Sequence, residues 1–420
     1  MSEAHMRRLW PLGPIPLLVP GALIFGVVLS ATSGMYSWPY QEWTRTSSEF
    51  MWQLAITGPI AAAAATYYAG RVTPASRIFA QRSSARPVSS ILNRHLGLLL
   101  SSHLIGYVLA FVPLLVLTAG KAQYGGPDVL VSLTGLVGLA TATVLGYLTG
   151  VWSRTALMGS LSFVLLLGLT IVGTTGTSAL SPVPTRVLTL GEQASRPLLI
   201  YRLIFLAIVT LAAAQISLAL LRSTSRKPPL AALVAVPVVM LFALGPSLRQ
   251  PAVSVYQADA PRTCTTKAGV EYCVHEGHRR QLAAFVEGGS EVVTAYGFAP
   301  ERARRIYDRA LLGTAKPNQL VIWPSLNPAN HVEGPVASEV ASSLAGTAAC
   351  VKRYGFHFPP DIANFNSYFY SWLRSAGIAP QYSDGYNPFK NVSLPAVQAW
   401  IKDHDQQIMT CTVDLDALPK

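Results

Sequence analysis

The sequence predicts a polytopic all-α membrane bundle of about seven transmembrane helices, followed by a small α+β domain that is disulfide-bonded and extracytoplasmic. Three observations carry that reading. Of the 420 residues, 51% are hydrophobic and only 12% charged, about half the ~25% of ordinary soluble domains. Charge is distributed unevenly: residues 1–250 hold 17 basic and 5 acidic side chains, whereas residues 251–420 hold 15 of each. All four cysteines (Cys264, Cys273, Cys350 and Cys411) fall in the second part. The chain therefore divides into a membrane domain, 1–250, and a water-soluble domain, 251–420. A single soluble globule is excluded, and so is a disordered chain, which would be poor in Leu, Val and aromatic residues. The excess of +12 lies among hydrophobic runs and not on one polar face, so nucleic acid is not an expected partner.

A helix needs roughly 20 apolar residues to cross ~30 Å of hydrocarbon. Seven segments have that length: about 14–33, 51–70, 97–118, 128–150, 156–175, 198–220 and 229–248. None carries Asp or Glu in its core, where an ionised side chain costs at least ~2.5 kcal/mol. His103, beside Ser101 and Ser102, and Arg202, near enough to a helix start to snorkel, are the polar exceptions. The first segment follows Arg7 and Arg8 and precedes Ser30-Ala31-Thr32-Ser33. Its apolar stretch is longer than the 7–15 residues of a signal peptide, so it is read as an uncleaved span.

The connections give an orientation. Alternate ones carry Arg7 and Arg8, then Arg71, Arg77, Arg82, Arg86 and Arg94, then Arg154, then Arg222, Arg226 and Lys227, with Glu3 as the one acid. The other set mixes Arg45, Lys121, Arg186, Arg196, Arg202 and Arg249 with Glu42, Glu49, Asp128 and Glu192. The positive-inside rule places the first set, and the amino terminus, in the cytoplasm; the soluble domain is then outside. Cysteines confined to that domain fit disulfides on the oxidising side of a membrane. Four cysteines allow three pairings. A short hairpin over Thr265–Tyr272, turning at Lys267-Ala268-Gly269, favours Cys264–Cys273, with Cys350–Cys411 by elimination; four buried free thiols are the alternative. Arg outnumbers Lys 24 to 8, a bias of GC-rich genomes, which places the chain in a bacterial cytoplasmic membrane.

Chemistry-bearing motifs are sparse. No Gly-rich loop ending in Lys-Ser/Thr is present to cradle phosphates, so the chain does not hydrolyse ATP itself. The Gly-x-Ser-x-Gly elbow of serine hydrolases is missing, and no Cys-x-x-Cys pair occurs. Val274-His275-Glu276-Gly277-His278-Arg279 comes nearest to a metal site. A zincin helix spaces its histidines by four residues with Glu as base; here His278 arrives one residue early. His275 and His278, with His331, His357 or His404, are the candidate ligands, and a solvated strand-to-helix junction is the structural alternative. A membrane-bound metallohydrolase using His275, Glu276 and His278 is the weakest functional reading. His103 is a proton-relay candidate by its position, but no Asp, Glu or second His sits in another span. No cofactor and no enzymatic activity are expected.

The connection 71–96 reads RVTPASRIFAQRSSARPVSSILNRHL, with five Arg, one His and no acid. Its 26 residues exceed what two antiparallel helices need, and a short surface helix around Ala75–Gln81 fits before Pro87. Simple topology charges with some attraction to anionic lipid are one reading; a docking element for a cytoplasmic partner is the other. Tyr68-Ala69-Gly70-Arg71, Ser83-Ser84-Ala85-Arg86-Pro87 and Asn93-Arg94-His95 resemble the cytoplasmic loop of ABC-type exporter permeases of the type-two class, closest to actinobacterial members. Arg71, Arg82, Arg86 and Pro87 are the matched positions. The Tyr272-Cys273-Val274-His275 strand and the Ala399-Trp400-Ile401 helix resemble the outside domain of some of these relatives. The resemblance implies a six-span core and a coupling helix in this loop. It further implies a separate ATP-binding subunit, met by a homo- or heterodimer of membrane subunits in the lipid bilayer. Arg71, Arg77, Arg82, Arg86 and Pro87 are accordingly the candidate docking residues. A membrane-anchored extracytoplasmic binding or sensory protein is the alternative function.

In the outside domain, strands are expected at Val253–Gln257, in the Cys264–His275 hairpin and at Gln319–Trp323. Helices are expected at Gln281–Phe285, at Pro300–Leu312 and at 336–353, 361–376 and 393–408, with a last strand at Thr410–Val413. The helix over Pro300–Leu312 rests on apolar Ala303, Ile306, Tyr307, Ala310 and Leu311 at helical spacing.

Overall fold

A computed structural model describes residues 15–38, 41–73, 88–175, 181, 183, 187–222, 252–316, 319–322, 333–355, 357–378 and 387–419. The chain forms two compact units: residues 1–37 with 41–255, and residues 38–40 with 256–420.

The first unit is helical: α1 (Ile15–Thr32), α2 (Trp43–Trp52), α3 (Leu54–Val72), α4 (Val88–Lys121), α5 (Val129–Ser153), α6 (Met158–Thr175) and, after the short strand β1 (Glu192–Ala194), α7 (Arg196–Arg222). Asp128 starts α5 by accepting the N–H groups of Leu130 and Val131, which would otherwise lack intrahelical partners. Among the described residues, four helices are long and apolar enough to cross a membrane: Leu18–Met35, Leu92–Lys121, Val129–Ser153 and Arg196–Leu221. This corrects the expected seven. Segment 51–70 is divided at Gln53 between α2 and α3, and α3 is diluted by Ala, Gly, Thr and Tyr. Segment 156–175 yields only a shorter apolar helix, Met158–Ile171. Segment 229–248 lies outside the described residues.

Small residues bring these helices to backbone contact. A Cβ at Gly146 would collide with the Ala62 carbonyl, one at Gly150 with that of Thr66, and one at Gly106 with that of Gly21. Hydroxyls bridge one of these seams and two others: Thr66 of α3 reaches the Gly146 carbonyl of α5 at 2.8 Å, Thr141 of α5 meets Thr210 of α7 at 2.9 Å, and Thr46 of α2 meets Thr118 of α4 at 2.8 Å. Such close approach and hydrogen bonding hold helices together where no water is available to drive association. Large apolar side chains meanwhile point outward, Leu157 being 85%, Leu169 68% and Val116 67% exposed. Apolar surface on that scale is consistent with a membrane-facing exterior.

After β2 (Ser254–Tyr256), the second unit is built on a four-stranded sheet of β3 (Arg262–Lys267), β4 (Val270–His275), β5 (Arg305–Asp308) and β6 (Leu320–Ile322) in the order β3-β4-β5-β6. The β3–β4 hairpin is antiparallel, and the β4–β5 and β5–β6 pairs are parallel. Helix α8 (Leu282–Tyr296) is the crossover from β4 to β5, ending at Gly297 in the left-handed region (φ 91°) that favours glycine. Then come α9 (Glu333–Leu344), α10 (Thr347–Tyr354), α11 (Pro360–Arg374) and α12 (Leu394–Thr410). Their core is aromatic: Tyr272, Phe285, Phe369, Trp372, Phe389 and Trp400 are all buried in one cluster. Disulfides join Cys264 to Cys273, directly opposite in the hairpin register, and Cys350 to Cys411.

Three expectations fail here. Pro300–Leu312 is a 3-10 turn, strand β5 and a second 3-10 turn. Strand β5 lies between two neighbours and is covered on both faces: Ile306 packs into the aromatic core, while adjacent Tyr307 packs with Cys273 and Leu311 on the other side. A strand buried on both faces loses its two-residue alternation, and here the residue counts imitated a helix. Thr410–Val413 forms no strand, because the chain turns at Cys411 (φ 53°) to meet Cys350. The segment 336–353 forms two helices, parted at Gly346, whose φ of 68° ends α9.

Candidate functional site

Arginines collect where α3, α5 and α7 end and α4 begins. Arg71 closes α3, exposed, with its guanidinium 5.5 Å from the centre of the Tyr67 ring. Arg94 is exposed in the early turns of α4, Arg154 caps α5, and Arg222 ends α7. Three of the four lie at helix C-termini, where the helix dipole favours cations. Beneath them, Tyr68, Val72, Leu92, Leu96, Tyr147, Val151 and Leu220 form one apolar cluster, and buried His95 holds the Tyr147 hydroxyl at 3.2 Å. At the opposite ends of these helices lie the acids. Asp128 caps α5, the Glu42 carboxylate accepts the Leu190 N–H at 3.0 Å, and Glu49 bonds Gln53 at 2.9 Å. The structure thus separates a basic end from an acid-bearing end.

Of the candidate docking residues, Arg71 is placed at the basic end; Arg77, Arg82, Arg86 and Pro87 lie outside the described residues. The expected surface helix at 75–81 lies outside them too. Helix α4, at 34 residues, is about 51 Å long and outruns a ~30 Å hydrocarbon core.

His103 is fully buried on α4, its Nδ1 3.0 Å from the Thr143 hydroxyl of α5. That hydroxyl also lies 2.9 Å from the Leu139 carbonyl. A hydroxyl carries one proton; donated to Leu139, it leaves Thr143 to accept from the His103 Nδ1–H. Thr143 is the partner that the sequence alone did not single out. Arg202 does not snorkel as expected: it is only 2% exposed, held inside the unit by its place in α7.

The segment His275–His278 forms a hydrogen-bonded junction at the end of β4. His275 ends β4, and its Nδ1 accepts the Gly277 N–H at 3.0 Å. Glu276 accepts from the Thr263 hydroxyl at 2.5 Å and pairs with Arg279 at 3.2 Å. His278 Nδ1 lies 2.5 Å from Asp308 Oδ2, and the same carboxylate receives the N–H groups of His275 and Ala310. Burial alone would raise the Asp308 carboxyl; the facing His278 and the two backbone N–H groups outweigh it and hold the pKa below the ordinary carboxylate value. The junction is buried and not solvated, with His275 at 0% and His278 at 5% exposure. His404 is turned onto Trp400, its Nδ1 2.9 Å from that residue's carbonyl; His331 lies outside the described residues. Among the described residues, one group of potential ligands converges, Cys264, Glu271 and Cys273, and its sulfurs are spent in a disulfide. Asp308 was hidden because its segment read as a helix.

No protein-family model, curated protein or solved structure matches the chain.

Proposed function

We propose that the chain is the membrane-spanning, non-hydrolysing subunit of an ABC-type export system, driven by a separate ATP-binding subunit that docks on residues 71–96. The observation that carries this reading is the basic end of the helical unit. A connection with five arginines and no acid leaves α3 beside Arg71 and returns into α4, whose length exceeds the hydrocarbon core. A rigid helix continuing from a docking loop into the bundle is what mechanical coupling requires. In this reading the basic end faces the cytoplasm, and the disulfide-bonded unit lies on the oxidising side of a bacterial cytoplasmic membrane, where it gates, binds substrate or contacts the envelope.

The test is a pull-down of the tagged full chain from mild-detergent membranes, with Arg82→Glu/Arg86→Glu beside it. Recovery of an ATP-binding subunit with the wild type, lost in the double variant, supports the docking site. Absence of any such subunit from the wild type overturns the export reading and leaves the membrane-anchored binding or sensory protein as the better one.

A further inference from the structure

A groove of about 480 Å³ opens along the first unit between the early turns of α1, the later half of α3 and the start of α6. That volume is within the ~300–1,000 Å³ of typical ligand pockets. Its walls are mainly apolar, with Leu23 from α1, Ala63, Ala64 and Tyr67 from α3, and Gly159 and Phe163 from α6, beside the Ser160 hydroxyl. The small side chains of Ala63, Ala64 and Gly159 create the hollow, and Leu23 and Tyr67 stay 51% and 43% exposed at its edge.

A cation lies one helical turn beyond the groove's Tyr67. Tyr67 lies three and four residues after Ala64 and Ala63 on α3, and Arg71 four residues further, so they share one helix face. The guanidinium of Arg71 stacks over the Tyr67 ring at 5.5 Å, one turn beyond the apolar lining. A Cβ on Gly70 would collide with the Thr155 carbonyl, so the α5–α6 turn, with Arg154 at its start, adjoins the same place. No acid lies in α3, in the α5–α6 turn or in α6. A mainly apolar slot with an arginine beside its Tyr67, at the level of the helix ends, has the polarity of an acyl chain carrying an anionic headgroup.

We infer that this groove binds one anionic glycerophospholipid from the leaflet at the basic end. One acyl chain lies between α1, α3 and α6, and the phosphate meets Arg71. Arg71 then belongs to the lipid site, and the docking set of the export reading contracts to Arg77, Arg82, Arg86 and Pro87. The inference stands on the helices themselves and does not require an ATPase partner.

Native mass spectrometry of the detergent-solubilised full chain tests it, with phosphatidylglycerol and phosphatidylcholine of identical acyl chains as competing probes. The wild type should retain one phosphatidylglycerol in about fivefold preference, the effect of one cation near an anionic headgroup. Arg71→Gln should bring the preference to near unity while lipid is still retained. Ala64→Phe or Ala63→Phe, filling the hollow, should remove the retained lipid. Arg94→Gln, an exposed arginine on α4 away from the groove, should leave the preference intact. Equal retention of the two lipids by the wild type would overturn the inference. So would an equal loss of preference in Arg94→Gln, which would mean diffuse attraction to the basic end.

Discussion

The two units differ in how closely their backbones approach and in what they leave outside. In the second, the largest side chains go inside: Phe369, Trp372, Phe389 and Trp400 pack edge and face against one another. In the first, Tyr68, Tyr107, Phe111 and Tyr147 are buried too, but Gly106, Gly146 and Gly150 between them let backbones touch, while many Leu and Val face outward. Beyond residue 211, the large exposed hydrophobics among the described residues are only Val255, Leu312, Ile378 and Leu394. Water rewards removal of apolar area, roughly 25 cal/mol per Å²; hydrocarbon offers no such reward and leaves packing and hydrogen bonds to choose the structure. The cross-links follow the same division, with both disulfides in the unit that has the aromatic core.

The largest effect should come from that division. Cys350–Cys411 closes a loop with a sequence separation of 61, worth about 4 kcal/mol by chain entropy; Cys264–Cys273, with a separation of 9, is worth about 2.5 kcal/mol. The double variant Cys350→Ser/Cys411→Ser should therefore accelerate amide exchange in peptides from 333–419 and leave α3–α5 peptides unchanged. Matching acceleration in the helical unit would break the comparison, because it would make the two units one cooperative block.

Arg302 comes next. It donates twice to Asp405, at 2.8 and 3.0 Å, and the Tyr296 hydroxyl adds a third bond at 2.6 Å. Burial pushes the Asp405 carboxyl up, but these donors and the arginine charge win and hold it below its ordinary value. Arg302→Gln should cost about 1.5–3 kcal/mol. A carboxylate whose folded pKa is depressed stabilises fully above its unfolded value, about 3.9, and loses that contribution as pH falls through the folded one. The gap between wild type and variant should thus be widest near neutrality and close below pH 4. A constant gap in fluorescence-monitored unfolding would show that the pair does not set the acid limb.

A glycine pair sharpens the packing argument by sign. Helix propensity alone makes Gly→Ala favourable by up to about 1 kcal/mol. At Gly97 nothing lies within 4 Å of a new Cβ, so Gly97→Ala should raise the thermal midpoint in detergent. At Gly146 the Cβ meets the Ala62 carbonyl, so Gly146→Ala should lower it, by the ~1–3 kcal/mol of overpacking. The same sign at both sites would mean that α3 and α5 are not in backbone contact.

Legibility in the sequence followed the same physical line. The apolar helices around 14–33, 97–118, 128–150 and 198–220 were readable because composition alone marks a long apolar run. The break at Gln53 was not, since nothing polar enough to end a helix stands there and the chain continues at φ −66°, ψ −12°. Strand β5 was missed because Ile306 and Tyr307 serve two different clusters, and with it went Asp308, the carboxylate that organises His278. At the candidate site, Arg71 could be named from charge alone. Its groove could not, because the hollow exists only once Ala63 and Ala64 of α3 face Gly159 of α6.

The smallest effect is also the most discriminating. His103 and Thr143 share one buried hydrogen bond in the helical unit, where interhelical bonds average only about 0.6 kcal/mol, because the unfolded chain in the membrane also finds partners. Thr143→Val keeps the shape and removes the acceptor, so it should cost about that much in a detergent unfolding titration. The comparable bond outside is that of Asn366, buried against the Ala345 carbonyl at 2.9 Å. There, Asn366→Leu leaves a buried carbonyl unsatisfied and should cost more, about 1–3 kcal/mol. The difference between the two losses measures what the surrounding medium contributes. If Thr143→Val costs as much as Asn366→Leu, the seam between α4 and α5 is hydrated, and His103 sits in a polar passage through the bundle and not in its dry packing.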